Sequence, residues 1–261
     1  ASLDVFVNEP TTTSPLFELE SVIVTPHLGA STREAQDKAG DTIAEQVALA
    51  LANEFVPYAV NVSAGEVSET ARPFLALAEQ LGRLFVALNE AVPAKLELVY
   101  QGLLAESDTR ILTLSVLKGV FARIAHAPVS YVNAPLMAAE RGIEVVETAT
   151  TTAHDYVNLI TVRGGNHSLS ATLVGLRGEP RLVRVDDNTV DMPPSPNMLY
   201  VRNRDQPGMI GRVGTILGRA GINIDDMHLG RSSEGLAALM VLATDVAVPA
   251  DVQLGAPAVV L

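Results

Sequence analysis

Apolar residues along this chain change their spacing twice, and each change marks a different kind of structure. Near the start they come in short runs, with Leu3, Val5 and Phe6 around Asp4 and then Val22, Ile23 and Val24 together. Runs of this length suit buried parallel strands, and Asn8-Glu9-Pro10 and Pro26 stop them. From Thr32 to Ala52 the spacing turns helical, with Ala35, Ala39, Ile43, Val47 and Leu51 at four-residue steps on one face. Ser31 and Glu34 fit the Ser-x-x-Glu capping box that launches such a helix. Asn53 to Ala64, with Pro57 and two Asn, reads as a linker.

A mixed pattern follows. Pro73 suits a first helical turn, and Phe74, Leu77, Leu81, Leu84, Phe85 and Leu88 make an amphipathic helix. Leu96, Leu98 and Tyr100 alternate as a strand, and Leu112, Val116 and Val120 return to helix spacing. A short helix over Pro135–Arg141 stops at Gly142, before a strand over Ile143–Val146. Val157–Val162, Leu169–Leu176 and Leu182–Val185 read as three more strands, with hairpin turns at Gly164-Gly165 and Gly178-Glu179-Pro180. Met192–Pro196 (MPPSP) can form neither helix nor central strand and so marks a boundary. Beyond it come a strand (Met198–Val201), a turn (Asp205–Gly208), a helix (Met209–Ala220) ended by Gly221, and two strands, Ile222–His228 and Leu236–Leu242. This β-α-β-β order is three-quarters of a ferredoxin-like unit. Past Pro249 the chain is too short for a complete second helix and a fourth strand, with Ala258–Leu261 as the candidate edge strand. The run Gly208, Gly211, Gly214, Gly218, Gly221 lacks the spacing of a nucleotide loop; close packing of a helix on a sheet accounts for it better.

Composition narrows the classes. At 261 residues and 48% apolar content the chain can build two or three cores. Its formal charge of −12 repels phosphodiester backbones, which argues against nucleic acid and anionic membrane as partners. No apolar run approaches the roughly 20 residues that span a bilayer. Cysteine is absent, which excludes thiolate metal sites and disulfides and fits a reducing, cytoplasmic setting. The histidines (27, 126, 154, 167 and 228) include no i, i+4 pair, so no metal site is expected.

Candidate chemistry gathers at the beginning. His27 stands just past an apolar strand, and ligands in open α/β sheets bind outside the carboxyl ends of strands. Gly29 and Ala30 lack bulk, so a flat ligand can approach their backbone. Two acids ahead of the histidine are candidate partners: Asp4 and, 18 residues before it, Glu9. A carboxylate paired with an imidazole raises its basicity and fixes its tautomer, as general acid–base work requires. The plainer alternative is a loop histidine making a structural hydrogen bond, with Glu9 a solvated acid.

These residues carry a resemblance. DVF-x-x-EP at 4–10, SPL at 14–16 and TPHLGAST-x-EAQ at 25–36 resemble the end of the catalytic core of D-3-phosphoglycerate dehydrogenases, within the NAD-dependent D-2-hydroxyacid dehydrogenases. The resemblance implies that His27 is the proton donor/acceptor at the substrate C2 oxygen and Glu9 its partner. It implies that Asp4, His27, Leu28, Gly29 and Ala30 lie beside the nicotinamide of NAD. The family's Gly-x-Gly-x-x-Gly loop and catalytic arginine lie upstream of this strand. No Gly-x-Gly occurs in this chain, so it is expected to be a C-terminal portion that does not turn over alone. The helix face around Ile43 and Val47 would then be left exposed or pair with another copy, association being the expected outcome.

Two further resemblances complete the organisation. The middle segment is similar, by position, to the anion-binding intervening domain of longer phosphoglycerate dehydrogenases. Arg181 matches one basic contact, while Asn188 and Pro193 stand where others are basic; the alternative is that Arg163, Arg181 and Arg184 are solvated sheet charges. The string RDQPGMIGRVGTILGRAGINI at 204–224 resembles an ACT domain. That implies an L-serine effector site across a dimer, with Asn203, Asp205 and Gly208 from one copy and Asn223 from the other. The expected organisation is therefore a remnant of a Rossmann-like α/β core (1–53), an α+β intervening domain (54–196) and a ferredoxin-like βαββαβ ACT domain with a shortened end (197–261). The resemblance implies oxidation of 3-phospho-D-glycerate, a phosphorylated 2-hydroxy acid, in L-serine biosynthesis by a homo-oligomer joined through the ACT and intervening domains. The alternative is that the fragment is a non-catalytic amino-acid-binding regulatory and oligomerisation module.

Overall fold

The computed structural model describes residues 1–62, 67–89, 91–153, 155–204, 206–231, 237–249, 251–252, 254 and 257–260. The chain divides into two compact units, Ala1–Ala59 and Val60–Leu261.

In the first unit, β1 (Ser2–Leu3) and β2 (Ile23–Val24) pair in parallel, with Ser2 opposite Ile23 and Leu3 opposite Val24. A 3-10 turn at Gly29–Ser31 leads into α1 (Arg33–Leu51). The helix cap is Thr32, whose hydroxyl accepts the Ala35 N–H at 3.1 Å. Ser31 is held in the preceding 3-10 turn, so the Ser31/Glu34 capping box expected from sequence does not form. Along α1 the apolar stripe stays open, with Ile43, Val47 and Leu51 all exposed.

The second unit opens with α2 (Leu75–Asn89), β3 (Lys95–Gly102), α3 (Arg110–Ala122), α4 (Asn133–Glu140) and β4 (Glu144–Thr150). Three hairpin-linked strands follow, β5 (Asn158–Gly164), β6 (His167–Val174) and β7 (Glu179–Val185), then β8 (Asn188–Met192). They form a six-stranded mixed sheet in the order β4-β3-β5-β6-β7-β8, in which β3 and β4 run parallel. The α2–α3 pair is closely apposed because two glycines lie at the crossing: a Cβ on Gly82 would stand 2.1 Å from the Val116 carbonyl oxygen, and one on Gly119 1.9 Å from that of Glu79. The buried Tyr100 hydroxyl bonds the Thr113 hydroxyl at 2.8 Å and ties β3 to α3. Sequence periodicity does not show β8, and its last residue, Met192, falls in the segment that the sequence reads as a boundary. A five-residue edge strand needs only its neighbour β7 to form, and the prolines begin just after it.

The last part contains β9 (Met198–Arg204), α5 (Met209–Arg219), β10 (Ile224–Arg231), β11 (Ala237–Thr244) and β12 (Ala258–Val260), in the sheet order β10-β11-β9-β12. This is the ferredoxin-like order. The fourth strand is present, and the connection before it is no helix among the described residues. Val248 and Leu254 from that connection are buried in the cluster that Leu199, Val201, Met240 and Leu242 form with Val213 and Leu217 of α5. The opposite sheet face, with Met198, Tyr200, Leu239 and Val241, is buried as well. On that side Gly230 of β10 lies against Asn188 and Thr189 of β8, so the two sheets of this unit meet there. The expected close packing of the α5 glycines does not occur in the single chain: nothing lies within 4 Å of a Cβ built on Gly211, Gly214 or Gly218. Only Gly208 (φ 92°) and Gly221 (φ 74°) of that run use a left-handed backbone, at the two ends of the helix.

Candidate functional site

The turn after β2 is built around one carboxylate. Asp4, just past β1, accepts the Thr25 hydroxyl and the Leu28 N–H on Oδ1 and the Gly29 N–H on Oδ2, the two amides at 2.7 Å. These bonds to the charged form, led by that from Thr25, hold Asp4 below the usual carboxylate range. They also explain Gly29: a Cβ there would stand 2.9 Å from Asp4 Oδ2. The lack of bulk at Gly29 thus admits the carboxylate, and its amide is already engaged. Ala30 lies in the 3-10 turn that follows.

Braced in this way, His27 takes a left-handed backbone (φ 57°), a conformation uncommon for a non-glycine residue and concentrated at functional sites. Its Nδ1 is 2.7 Å from Glu9 Oε2, while Glu9 Oε1 accepts the Phe6 N–H at 2.7 Å. The carboxylate is thereby fixed from both ends. Its bond to His27 is the main cause that lowers the Glu9 pKa and raises that of the imidazole. With Nδ1 committed to Glu9, the other ring nitrogen is the one left for a reactant. The pair lines an open cleft of about 470 Å³, whose wall includes Phe6, Pro10, Thr11 and Phe17. Phe6 and Phe17 meet edge to face at 5.7 Å. Leu28, about half exposed, presents an apolar side chain beside the histidine.

The residues expected at an effector site lie in the second unit. Asn203 is near the end of β9 and Gly208 is the residue before α5; Asp205 lies outside the described residues. Asn223 stands before β10 at the opposite end of the sheet: Ile224 is level with Thr244, beside Met198, whereas Asn203 is opposite Ala238. Most of the length of β9 separates them, on the order of 15–20 Å at about 3.3 Å per residue. One chain does not bring Asn223 to Asn203 and Gly208. Within its own chain the Asn223 backbone N–H bonds Asp245 Oδ1 at 2.9 Å, and its side-chain amide donates to Asp225 at 3.0 Å. On β7, Arg181 is 3.9 Å from Asp191 of β8, a weak pairing that leaves it partly available. No group of three or more His, Asp or Glu suited to a metal occurs among the described residues. Among the same residues, no helix is long and apolar enough to cross a membrane.

Sequence reasoning missed a second cluster, between the six-stranded sheet and β9. Asp186 and Arg202 are 2.8 Å apart there, together with Tyr200 and His167. The left-handed Asp186 (φ 52°) could not be inferred from an Asp-Asp-Asn turn.

Both family matches of this chain fall within the second unit. Residues 70–186 match the D-3-phosphoglycerate dehydrogenase intervening domain and residues 197–253 match the ACT domain. A protein of Mycobacterium leprae named D-3-phosphoglycerate dehydrogenase is 45% identical over 258 residues, covering 97% of this chain and 49% of that protein. Proteins of the same name from Synechocystis and Methanocaldococcus jannaschii are 38% and 37% identical, over 95% and 97% of this chain and 46% and 49% of theirs. The chain spans about half the length of the curated relatives it matches.

Proposed function

Since the chain belongs to the D-3-phosphoglycerate dehydrogenases that carry an intervening and an ACT domain, we propose that it is the C-terminal half of such an enzyme, acting in L-serine biosynthesis. The reaction is oxidation of 3-phospho-D-glycerate to 3-phosphohydroxypyruvate. His27 takes the C2 hydroxyl proton on its free ring nitrogen as the C2 hydride departs. Glu9 holds the ring in the tautomer that can accept the proton and stabilises the imidazolium that results. NAD, when bound, supplies the hydride acceptor. The residues present suit the edge of its site: Leu28 offers apolar surface to a flat ring and Asp4 fixes the backbone that carries it. The Gly29 amide, engaged by Asp4, donates nothing to a coenzyme. The 2.7 Å contact between Glu9 and His27 in an open cleft carries this reading.

In the full-length enzyme His27→Gln should lower kcat by roughly 10²–10⁴-fold while coenzyme affinity is kept. Steady-state rates and coenzyme titration on the same preparation check this, and a variant with unimpaired kcat would falsify the assignment. The regulatory half of the proposal places L-serine at the 203–208 turn of one copy and Asn223 of another. As an isolated polypeptide, the chain acts as a regulatory and assembly module, a reading favoured by Val60–Leu261 forming a compact unit without the His27 cleft.

A further inference from the structure

The cluster between the six-stranded sheet and β9 centres on one carboxylate. Asp186 Oδ1 accepts the Ser168 N–H at 3.0 Å, and both carboxylate oxygens lie 3.1 Å from His167 Nδ1. Oδ2 also accepts the Tyr200 hydroxyl at 3.1 Å and Arg202 Nη2–H at 2.8 Å. The Arg202 guanidinium further donates to the Tyr200 hydroxyl and sits 5.8 Å from the centre of its ring. Burial keeps the Tyr200 phenol above its ordinary pKa, so it stays protonated as a donor. Asp186 is itself anchored, its N–H bonding the Ser168 carbonyl at 2.8 Å.

His167 and Ser168 belong to β6, and Asp186 to the hairpin between β7 and β8, all in the intervening domain; Tyr200 and Arg202 belong to β9 of the ACT domain. One largely buried carboxylate is thus shared between two domains. Arg202 adjoins Asn203 and stands two residues before the end of the strand, where the chain turns towards Gly208 and α5. The end of β9 joins that turn directly to the Asp186 cluster. Charge-assisted bonds with this geometry resist stretching and reorient as a set.

We propose that Asp186 and Arg202 are a positioning pair that transmits occupancy of the ACT turn to the intervening domain. The inference rests on the reading of that turn as the L-serine site. It assigns the pair no contact with the effector and no part in the chemistry at His27.

The test uses the full-length enzyme, with L-serine as probe, and follows calorimetric binding, amide hydrogen exchange and inhibition together. In the parent, serine should change exchange both in 197–231 and in the intervening segments 165–170 and 185–192. In Arg202→Met, serine should still bind within about fivefold, below the usual range of allosteric coupling. Its effect on exchange should then stop at the ACT residues, and inhibition at saturating serine should be largely lost. Arg202→Lys, which keeps the charge, should restore part of the response. Asp186→Asn, which keeps an acceptor for Ser168, should match Arg202→Met if the pair acts as one unit. Unchanged transmission to 165–170 and 185–192 in both Arg202→Met and Asp186→Asn, with serine bound, would overturn the coupling role alone. Absence of any binding heat in the parent would instead overturn the serine site and, with it, this inference.

Discussion

At His27 a single carboxylate sets the direction of the pH dependence. Glu9 stabilises the imidazolium, so the ring stays protonated to a higher pH than a free histidine, whose ordinary value is about 6.5. Oxidation of a hydroxyl requires the neutral ring, so the oxidative rate should climb only as pH passes through that raised value. Reduction uses the imidazolium and is favoured below it. Replacing Glu9 with Gln removes the charge, so the midpoint of the oxidative profile should fall towards the ordinary histidine value while the rate drops. The pH dependence of kcat/KM for parent and variant full-length enzymes checks this, and an unmoved midpoint would mean that Glu9 does not set the histidine's charge. Asp4 has a different role. Its bonds to Thr25, Leu28 and Gly29 shape the turn that carries His27. Residue types and their order marked both acids as candidates and the family resemblance assigned the pairing to Glu9, but the geometry of the contact, through Nδ1 at 2.7 Å, depends on how the 9–27 loop closes.

At the scale of elements, glycine shows how far pattern and packing can diverge. Five glycines recur through α5 and its ends, yet those at 211, 214 and 218 meet nothing in the chain. Gly82 and Gly119, which no motif marks, are where two helices touch backbone to backbone. Gly119→Ala should therefore destabilise the second unit by roughly 1–3 kcal/mol or more, because backbone rather than a flexible side chain must yield. Gly218→Ala, in open space within a helix, should stabilise it by up to about 1 kcal/mol. Urea midpoints of the two variants should move in opposite directions, and a shared direction would show that the helix contact does not govern Gly119. The connection to β12 follows the same logic. Apolar side chains at Val248 and Leu254 are buried against the sheet with no helix among the described residues there, because burial needs apolar area and not a particular backbone.

At the scale of the molecule, the ACT sheet has α5 on one face and a buried opposite face on the side of the intervening domain. Its proposed effector residues lie at opposite ends of that sheet, so a complete site needs two copies. On this reading Asn223→Ala should weaken L-serine binding roughly tenfold or more, the cost of one hydrogen bond to a charged ligand. The loss should appear at protein concentrations where the parent is dimeric or larger. Calorimetry paired with sedimentation checks both conditions, and full affinity in a monomer would refute the shared site.

By itself the amino-acid order determined the local periods, the sequence of elements, the break at the prolines after Met192 and the residue types able to move a proton. These are properties of one element or one short motif, and the hydrophobic effect writes them into adjacent positions. Tertiary structure alone decided that Asp4 gathers Thr25, Leu28 and Gly29 into one turn; that β8 extends the sheet; and that Asp186 reaches across to Arg202. Each of these depends on closing a loop between distant positions, where contact is fixed by the packing of whole elements and leaves no repeating signal along the chain.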